Sequence, residues 1–288
     1  MPSVDSPPPP PPPHAQYLSL TLTPAQCDLI SSHTPFRFHT VPIVGAEPGQ
    51  PTSFLEPYFP LPPHPNSPPL IVTPYRPTDI PAVMRTLNDP QVAYQLVGPP
   101  YPYTETDAHG WSELRRTEAE KVFNEVLGPK AEQALRGEEV DNWVVGDWPL
   151  GNVRRVDTGE WVGDFGLCRW AFEDVPDADE RKKLVDENAA KEAGDPTLAW
   201  SYGFFLNPTY HGKGIMAHVL RSLIEGYYVP YLRAERIYGA AFATNPASLK
   251  TQERCGFVRQ SSFEEDVIAS RGGGKKTIVT LQWQGKRA

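Results

Sequence analysis

Residues 70–288 alternate between short apolar runs and amphipathic segments. Runs rich in β-branched and aromatic residues, each bounded by turn residues, are typical of strands. We therefore predict strands over residues 70–76, 143–147, 153–156, 161–170, 197–206, 237–244, 257–268 and 277–284. Asp157-Thr158-Gly159-Glu160 forms a predicted hairpin turn between two of them, which indicates antiparallel pairing.

Apolar residues recur three and four positions apart in the segments between these strands, which is the helical period. The pattern predicts helices over residues 79–88, 104–137, 217–228 and 246–254, with a break at Gly128-Pro129. Residues 173–195 are strongly charged, and we expect a solvated helix or acidic loop there, with a substrate-recruiting arm as the alternative.

Proline separates the first part of the chain from the rest. Of the 34 prolines, 20 lie within the first 70 residues, including the unbroken run Pro7–Pro13. Such a run adopts polyproline II or stays disordered. We therefore predict a loosely ordered N-terminal extension over residues 1–69, which could be a polyproline ligand for a partner, and a folded domain over residues 70–288.

Charge and cysteine content narrow the choice of partners. The formal net charge is −8, and no stripe of Lys and Arg is interleaved with aromatic residues, so we expect no nucleic-acid partner and an easier fit to a cationic substrate. Cys27, Cys168 and Cys255 lie far apart, which predicts reduced thiols, no metal site and a cytoplasmic protein. No apolar stretch reaches about 18 residues, so we expect no membrane association.

The segment from Trp200 to Met216 carries the clearest chemical signal. A predicted strand is followed by a turn with the sequence HGKGIM (residues 211–216) and then by a predicted helix. Free amides and the helix dipole favour an anion at such a helix start, and Gly212 and Gly214 permit close approach to the backbone. Lys213 offers chiefly its amide. His211 either faces the anion or lies on the surface.

Three motifs together resemble the GNAT superfamily of acetyl-CoA-dependent N-acetyltransferases over about 215 residues. HGKGIM is similar to the superfamily's Gln/Arg-x-x-Gly-x-Gly/Ala turn, although His211 and Met216 depart from it. NPASLKTQERCGF (residues 245–257) resembles the helix that closes the coenzyme site. PYRPTDIPAVMRTLNDPQV and PYPYTETDAHGW resemble the opening of the RimJ/RimL-like branch.

The resemblance implies an α+β (α/β) fold with a central mixed, mostly antiparallel sheet of about six to seven strands. The sheet is expected to be flanked by helices and splayed beside the acetyl-CoA site. Pantetheine would lie along the second half of the strand before the turn, and the pyrophosphate would lie on the amides of the turn. The implied cofactor-binding residues are Phe204, Phe205, Leu206, His211, Gly212, Lys213, Gly214, Ile215, Met216, Asn245 and Ser248.

The resemblance leaves the catalytic groups less defined. It makes Ser248 the candidate acid for the leaving thiolate, because Gln252 stands where many relatives carry a tyrosine. Trp200 and Ser201 occupy the region where relatives often have a glutamate base. Candidates for the base are Asp164 and Glu160, with salt bridging or solvation as the alternative. Tyr103 and Trp111 are candidates to line the acceptor pocket, and Asn245 is equally well placed to cap its helix.

The implied activity is acetyl transfer to a primary amine, either a protein N-terminus or a small amine, by direct attack in a ternary complex. Holding two substrates together supplies much of the rate enhancement, so modest acid and base help suffices. The alternative is a catalytically weak module that binds acetyl-CoA or a protein.

Overall fold

A computed structural model describes residues 17–285 of the 288-residue chain. Within these residues nine strands form one sheet. The strands are β1 (Arg37–Pro42), β2 (Ser53–Pro60), β3 (Leu70–Thr73), β4 (Asn152–Arg155), β5 (Trp161–Arg169), β6 (Ala199–Leu206), β7 (Arg236–Phe242), β8 (Phe257–Asp266) and β9 (Lys275–Trp283).

Helices cover both faces of the sheet. They are α1 (Pro24–His33), α2 (Ile80–Leu87), α3 (Pro90–Ala93), α4 (Glu105–Glu120), α5 (Gly128–Leu135), α6 (Ala178–Ala190), α7 (Ile215–Leu223) and α8 (Pro246–Glu253). Two π-helical segments, Lys121–Leu127 and Ile224–Tyr228, continue α4 and α7. Short 3-10 turns lie at Pro77–Asp79, Pro208–Tyr210 and Ala269–Arg271.

The strand order is β1-β2-β3-β4-β5-β6-β7-β9-β8. Only β6 and β7 pair in parallel, and all other neighbours are antiparallel. This confirms the predicted α+β fold with a mixed, mostly antiparallel sheet. Strands β3 to β9 account for seven strands, in agreement with the expected six to seven, and β1 and β2 add two.

Strands β6 and β7 separate soon after they meet. They pair only through Ala199–Ser201 of β6 and Arg236–Tyr238 of β7. Beyond this point β6 runs on to Leu206 paired with β5, while β7 runs on to Phe242 paired with β9. The facing edges of the two strands therefore have no strand partner, and the sheet is splayed there as predicted.

Helix α7 begins at the predicted glycine turn and packs on one face of the sheet. Gly214 is its N-cap residue, and its left-handed φ of 77° is a conformation that glycine adopts without strain. Val219, Leu220 and Leu223 are buried and join Phe165 and Trp200 of the sheet in the main core. Burial of this stripe fixes the helix start beside the end of β6.

Helices α2 to α4 pack on the opposite face. Thr104 and Asp107 form a capping box at the start of α4. A second cluster of buried side chains fills the space between these helices and the sheet, and Phe205 packs against it. The cluster contains Tyr75, Ile80, Val83, Leu87, Val92, Tyr103, Ala108 and Trp161.

The predicted loose extension does not describe residues 17–69. These residues form α1, β1 and β2, and Ile30, Phe36 and Phe59 are buried in the main core. The apolar residues between the prolines pack against the rest of the fold, and the proline content alone did not indicate this. Residues 1–16, with the run Pro7–Pro13, lie outside the described residues. The domain boundary at residue 70 stays a prediction.

Buried charges join the N-terminal strands to the rest of the sheet. Arg76 donates to both carboxylate oxygens of Glu56, at 2.7 and 2.6 Å, and Arg154 pairs with Asp79 at 2.7 Å. Burial alone would raise the pKa of Glu56, but hydrogen bonds from Arg76 and His39 hold it below its usual value. Breaking one buried pair leaves an uncompensated charge, which is strongly destabilising.

One other local prediction was wrong. Residues 143–147 form no strand, since the Val145 N–H donates to the Tyr231 hydroxyl at 3.2 Å and that hydroxyl donates to the Trp143 carbonyl at 2.5 Å. A side chain thus replaces a partner strand. A second, shorter helix, α5, begins at Gly128-Pro129, where the break was predicted and where proline's missing N–H is tolerated. The charged segment does form a helix, α6.

Candidate active site

A cavity of about 700 Å³ lies between the diverging strands β6 and β7. It extends from the start of α7 on one face of the sheet to α3 and the residues after it on the other. Of the eleven predicted cofactor-binding residues, all line it except Lys213, which is exposed and holds its ammonium 5.3 Å from the centre of the Tyr210 ring. The cavity has the size of known ligand pockets.

The glycine turn presents its backbone to this cavity. Gly212 and Gly214 both have left-handed φ values, 72° and 77°, and a Cβ on Gly212 would meet no atom within 4 Å. No side chain caps α7, so the first amides of the helix lack that partner. The open space, the unfilled cap and the helix dipole together fit a bound phosphate.

His211 is exposed and folds back onto the end of β6. Its Nε2 lies 3.0 Å from the Leu206 carbonyl oxygen, to which it donates in the tautomer protonated at that atom. The side chain therefore closes the turn while also lining the cavity. His211 is therefore a surface histidine that also lies at the edge of the candidate site.

The aromatic residues of β6 divide between the two faces. Tyr202 and Phe204 stack with Phe165 in the main core, whereas Phe205 lies 5.9 Å from Trp161 on the α2 to α4 side. Trp200 is fully buried. These side chains hold the strand in place by packing, and the unpaired backbone edge of β6 is left open to the cavity.

A hydrogen-bonded chain of three side chains ends at Ser248. The Tyr202 hydroxyl donates to Gln252 Oε1 at 3.1 Å, and Gln252 Nε2 donates to Ser248 Oγ at 3.3 Å. Burial raises the pKa of Tyr202 well above its usual value, so it remains a donor. Because Ser248 Oγ already accepts a hydrogen bond, its own proton is free to point into the cavity.

Gly239 of β7 makes room for this chain. A Cβ at this position would lie 2.0 Å from Gln252 Oε1 and 2.6 Å from the Tyr202 hydroxyl. Sequence reasoning missed the chain, and a glycine in the interior of a predicted strand was the available signal, since it often marks close approach of another group. Asn245 caps α8 by accepting from the Ser248 N–H at 3.1 Å, as one of the two interpretations predicted.

Asp164 is not one of the residues that line the cavity, and it lies on the α2 to α4 face of the sheet. It is directly opposite Phe205 in the register of β5 and β6, and opposite residues share a face of the sheet. No described residue donates a hydrogen bond to its carboxylate. Desolvation raises the pKa of Asp164 to about 7, against the opposing effect of the Arg115 charge. Such a carboxyl group can exchange a proton near neutral pH.

The sheet face next to Asp164 has open space above it. Gly166 and Gly203 lie opposite each other on the same face, and a Cβ on either would meet no atom within 4 Å. Ser201 follows on this face, opposite Cys168. A shallow groove bounded by Asp164 therefore leads away from the cavity along β5 and β6.

The other predicted catalytic and acceptor residues do not line the cavity. Glu160 is exposed, with Arg155 3.5 Å away. Tyr103 is buried in the second cluster, and Trp111 is 43% exposed on α4 with the Arg115 guanidinium 5.8 Å from its ring. Lys250 in α8 and Arg254 at the C-terminal end of α8 do line the cavity. Their positive charges were not predicted as part of the site from the sequence.

Within residues 17–285, none of the helices is both long and apolar enough to cross a membrane. The same part of the chain contains no group of three or more His, Cys, Asp or Glu side chains placed to hold a metal ion.

Fold and cavity together define an α+β protein with a splayed sheet and an anion-binding helix start, an arrangement that suits an extended phosphate-containing ligand. A family model described as the acetyltransferase (GNAT) domain matches residues 69–258. The chain belongs to this family, which confirms the superfamily resemblance.

Several solved structures are similar to this chain. An acetyltransferase of the GNAT family from Bacillus anthracis is 15% identical, with 74% of this chain and 93% of that chain covered and a TM-score of 0.47. RimL, a ribosomal L7/L12 α-N-protein acetyltransferase in complex with coenzyme A, is 13% identical, with coverages of 75% and 95% and a TM-score of 0.44. Spermidine N-acetyltransferase from Vibrio cholerae, in complex with CoA and spermine, is 12% identical, with coverages of 74% and 94% and a TM-score of 0.45. No curated protein sequence matches the chain significantly.

Proposed function

We propose that the protein transfers the acetyl group of acetyl-CoA to a primary amine by direct attack in a ternary complex. The observation that carries the proposal is the cavity itself, which joins the glycine turn at α7 to the sheet face that bears Asp164. Such a passage lets a thioester and an amine meet from opposite faces of one sheet.

The residues of the splay are suited to bind the cosubstrate. The amides of Gly212 to Met216 would hold the pyrophosphate, and the open edge of β6 at Phe204, Phe205 and Leu206 would hold the pantetheine arm. A backbone N–H there would polarise the thioester carbonyl in the manner of an oxyanion donor. Lys250 and Arg254, at the rim of the cavity, would attract the remaining phosphate.

Asp164 is suited to remove a proton from the incoming amine. Its pKa near 7 matches the requirement for a general base at neutral pH. Ser248, held by Gln252, is suited to donate a hydrogen bond or its proton to the leaving sulfur. In this arrangement Gln252 orients the serine and does not itself exchange a proton.

The acceptor is proposed to be a protein N-terminus or a small amine. The net charge of −8 and the carboxylate of Asp164 both favour a positively charged acceptor. A cytoplasmic location and a polyproline-binding partner for the N-terminal extension remain parts of the same proposal.

Coenzyme binding gives the first test. Coenzyme A should raise the melting temperature of the wild-type chain, and Gly212→Ala should weaken that shift because its Cβ fills the open approach to the turn. Gly49→Ala is the matched control, since Gly49 also has a left-handed φ, 86°, with no atom within 4 Å of the added Cβ. Both variants carry the same backbone strain, so only the first should lose the coenzyme effect.

Turnover gives the second test. Release of free thiol from acetyl-CoA should be measured with a library of small amines and with short N-terminal peptides. Activity with one class identifies the acceptor. Binding of coenzyme A without thiol release from any amine or peptide would contradict the proposed activity.

A catalytically weak module that binds acetyl-CoA or a protein is the second candidate. The family resemblance favours it, because Trp200 and Ser201 occupy the region where relatives often have a glutamate base and Gln252 stands where many have the tyrosine acid. This candidate predicts normal coenzyme binding and no thiol release with any amine or peptide.

A further inference from the structure

The loop formed by residues 61–69 connects β2 to β3 and lies against the start of α7. Nε2 of His218, in α7, is 2.8 Å from the Pro62 carbonyl oxygen, and the rings of His64 and His218 are 4.9 Å apart. Upstream of the loop, a Cβ added to Gly226 would lie 2.8 Å from the Phe59 ring. The segment that precedes the matched family domain therefore packs along α7, from the π-helical continuation of this helix to the helix N-terminus.

His64 is placed beside the glycine turn. Its Nε2 lies 3.7 Å from the position of a Cβ built on Gly214, which is the N-cap residue of α7. Its Nδ1 accepts a hydrogen bond from the Asn66 N–H at 3.3 Å. A neutral imidazole that accepts at Nδ1 carries its proton on Nε2. The ring thus presents an N–H donor at the turn, and no residue in the described part of the chain accepts it.

The neighbouring histidine, His218, has a structural role. Burial lowers the pKa of His218, the hydrogen bond to the Pro62 carbonyl acts in the opposite direction, and the proximity of His64 and Arg221 lowers it further. A neutral His218 anchors the loop through Pro62. Proline neighbours at positions 62, 63 and 65 restrict the loop backbone, so His64 is held in position before any ligand arrives.

We propose that His64 donates a hydrogen bond from Nε2 to a pyrophosphate oxygen of coenzyme A bound at the start of α7. The inference rests on the proposed function for the presence of that pyrophosphate. It adds a ligand-binding residue from outside residues 69–258, the range that the family model matches. The N-terminal segment then completes the cofactor site as well as the sheet.

The test compares two ligands that contain the pyrophosphate with one that lacks it. Dissociation constants of coenzyme A, 3′-dephospho-coenzyme A and pantetheine should be measured by calorimetry or competition on the full chain. His64→Ala should weaken binding of the two pyrophosphate ligands by about tenfold, the value of one hydrogen bond to a charged group. Binding of pantetheine, which has no phosphate, should not change.

Two variants serve as controls. His64→Gln places an amide donor in a similar position and should recover part of the lost affinity. Asn66→Ala keeps the backbone N–H that orients the ring, so its affinities should equal those of the wild type. Melting temperatures of all variants should agree within a few degrees, since His64 is only half-buried.

Three outcomes would overturn the inference. Unchanged or tighter binding of coenzyme A by His64→Ala would mean that the ring makes no contact or only obstructs the turn. A loss confined to coenzyme A, with 3′-dephospho-coenzyme A unaffected, would place His64 on the other phosphate. Absence of coenzyme binding by the wild type would overturn the proposed function together with this inference, and is distinguishable because no variant is needed to see it.

Discussion

The two halves of the cavity are built in different ways. On the proposed coenzyme side, one continuous strand, turn and helix, β6 through α7, supplies most of the lining, and backbone groups are suited to hold the ligand. On the proposed acceptor side, the lining comes from α3 and the residues after it, while Asp164, the proposed base, is on β5, and these segments are distant in sequence. A backbone site tolerates unusual side chains, whereas a side-chain site depends on the identity of each residue.

The largest effect that follows from this difference is expected at Asp164. Asp164→Asn should lower the acetylation rate by about 10²- to 10⁴-fold, the usual contribution of a general base, without changing the coenzyme dissociation constant. The wild-type rate should fall as the pH drops below about 7, where the carboxylate becomes protonated, and the variant should lose this dependence. Steady-state kinetics over about pH 5.5 to 9 checks both.

Glu160→Gln is the control for that experiment, because Glu160 is exposed and outside the cavity. A rate for Asp164→Asn within about threefold of wild type would remove Asp164 as the base, since base catalysis contributes far more than this. The acceptor side would then depend on a bound water or on substrate ionisation alone.

The same residue predicts an effect on stability. The pKa of Asp164 is raised in the folded state. Its contribution to the free energy of unfolding is therefore complete at a pH low enough to protonate the carboxyl group in both the folded and the unfolded state. This contribution is lost as the pH rises towards about 7. Asp164→Asn should therefore melt at a higher temperature than the wild type at pH 8, with a smaller difference at acidic pH. Differential scanning calorimetry at several pH values measures the trend, and a constant difference would contradict it.

The next largest effect is expected at the junction of the two halves. A Cβ on Gly163 would lie 2.5 Å from the Phe205 carbonyl oxygen, so Gly163→Ala must displace the splayed part of β6. Overpacking of this kind costs about 1 to 3 kcal/mol of unfolding free energy. Coenzyme affinity should fall as well, because the displaced residues border the proposed pantetheine site.

Gly166→Ala is the matched control on the same strand. Its added Cβ meets no atom within 4 Å, so urea denaturation and coenzyme titration should show little change. It narrows the open groove on the acceptor face, and a selective rise in the acceptor KM would fit that position. Equal destabilisation by the two variants would show that loss of glycine in β5, not the contact with β6, is responsible.

The smallest effect is expected at Ser248. Ser248→Ala should lower kcat by about tenfold, near the net contribution of one hydrogen bond, and leave coenzyme binding almost unchanged. Thr251→Ala removes a hydroxyl from the same helix that also lines the cavity but donates to the Ala247 carbonyl, so it should have little effect. Similar losses in both variants would argue that helix stability, not the serine proton, sets the rate.

The strand, turn and helix of the coenzyme half could be predicted from the sequence for a physical reason. Gly212 and Gly214, the strand before them and the helix after them are local features, and local periodicity together with glycine placement is sufficient to recognise them. The splay followed from the family pattern, and the cap at Asn245 followed from its position at the start of a predicted helix.

The remaining features depend on contacts between distant residues. The chain from Tyr202 through Gln252 to Ser248 spans 46 positions between its first and last members and becomes visible only when β6 and α8 meet across Gly239. The raised pKa of Asp164 depends on burial of its carboxyl group in the folded protein. The helix and two strands before residue 70 were missed because proline-broken fragments gain order only from the sheet that they join.

The pairing of β2 with β3 has a consequence for any shortened form of the protein. All four residues of β3 are buried, and β2 covers the edge that would otherwise end the seven-stranded sheet. A chain starting at residue 70 would expose that short apolar edge together with the core surface under Ile30 and Phe36. Exposed edges of this kind recruit strands from other molecules. Strands β1 and β2 thus prevent the edge of β3 from pairing with strands of other molecules.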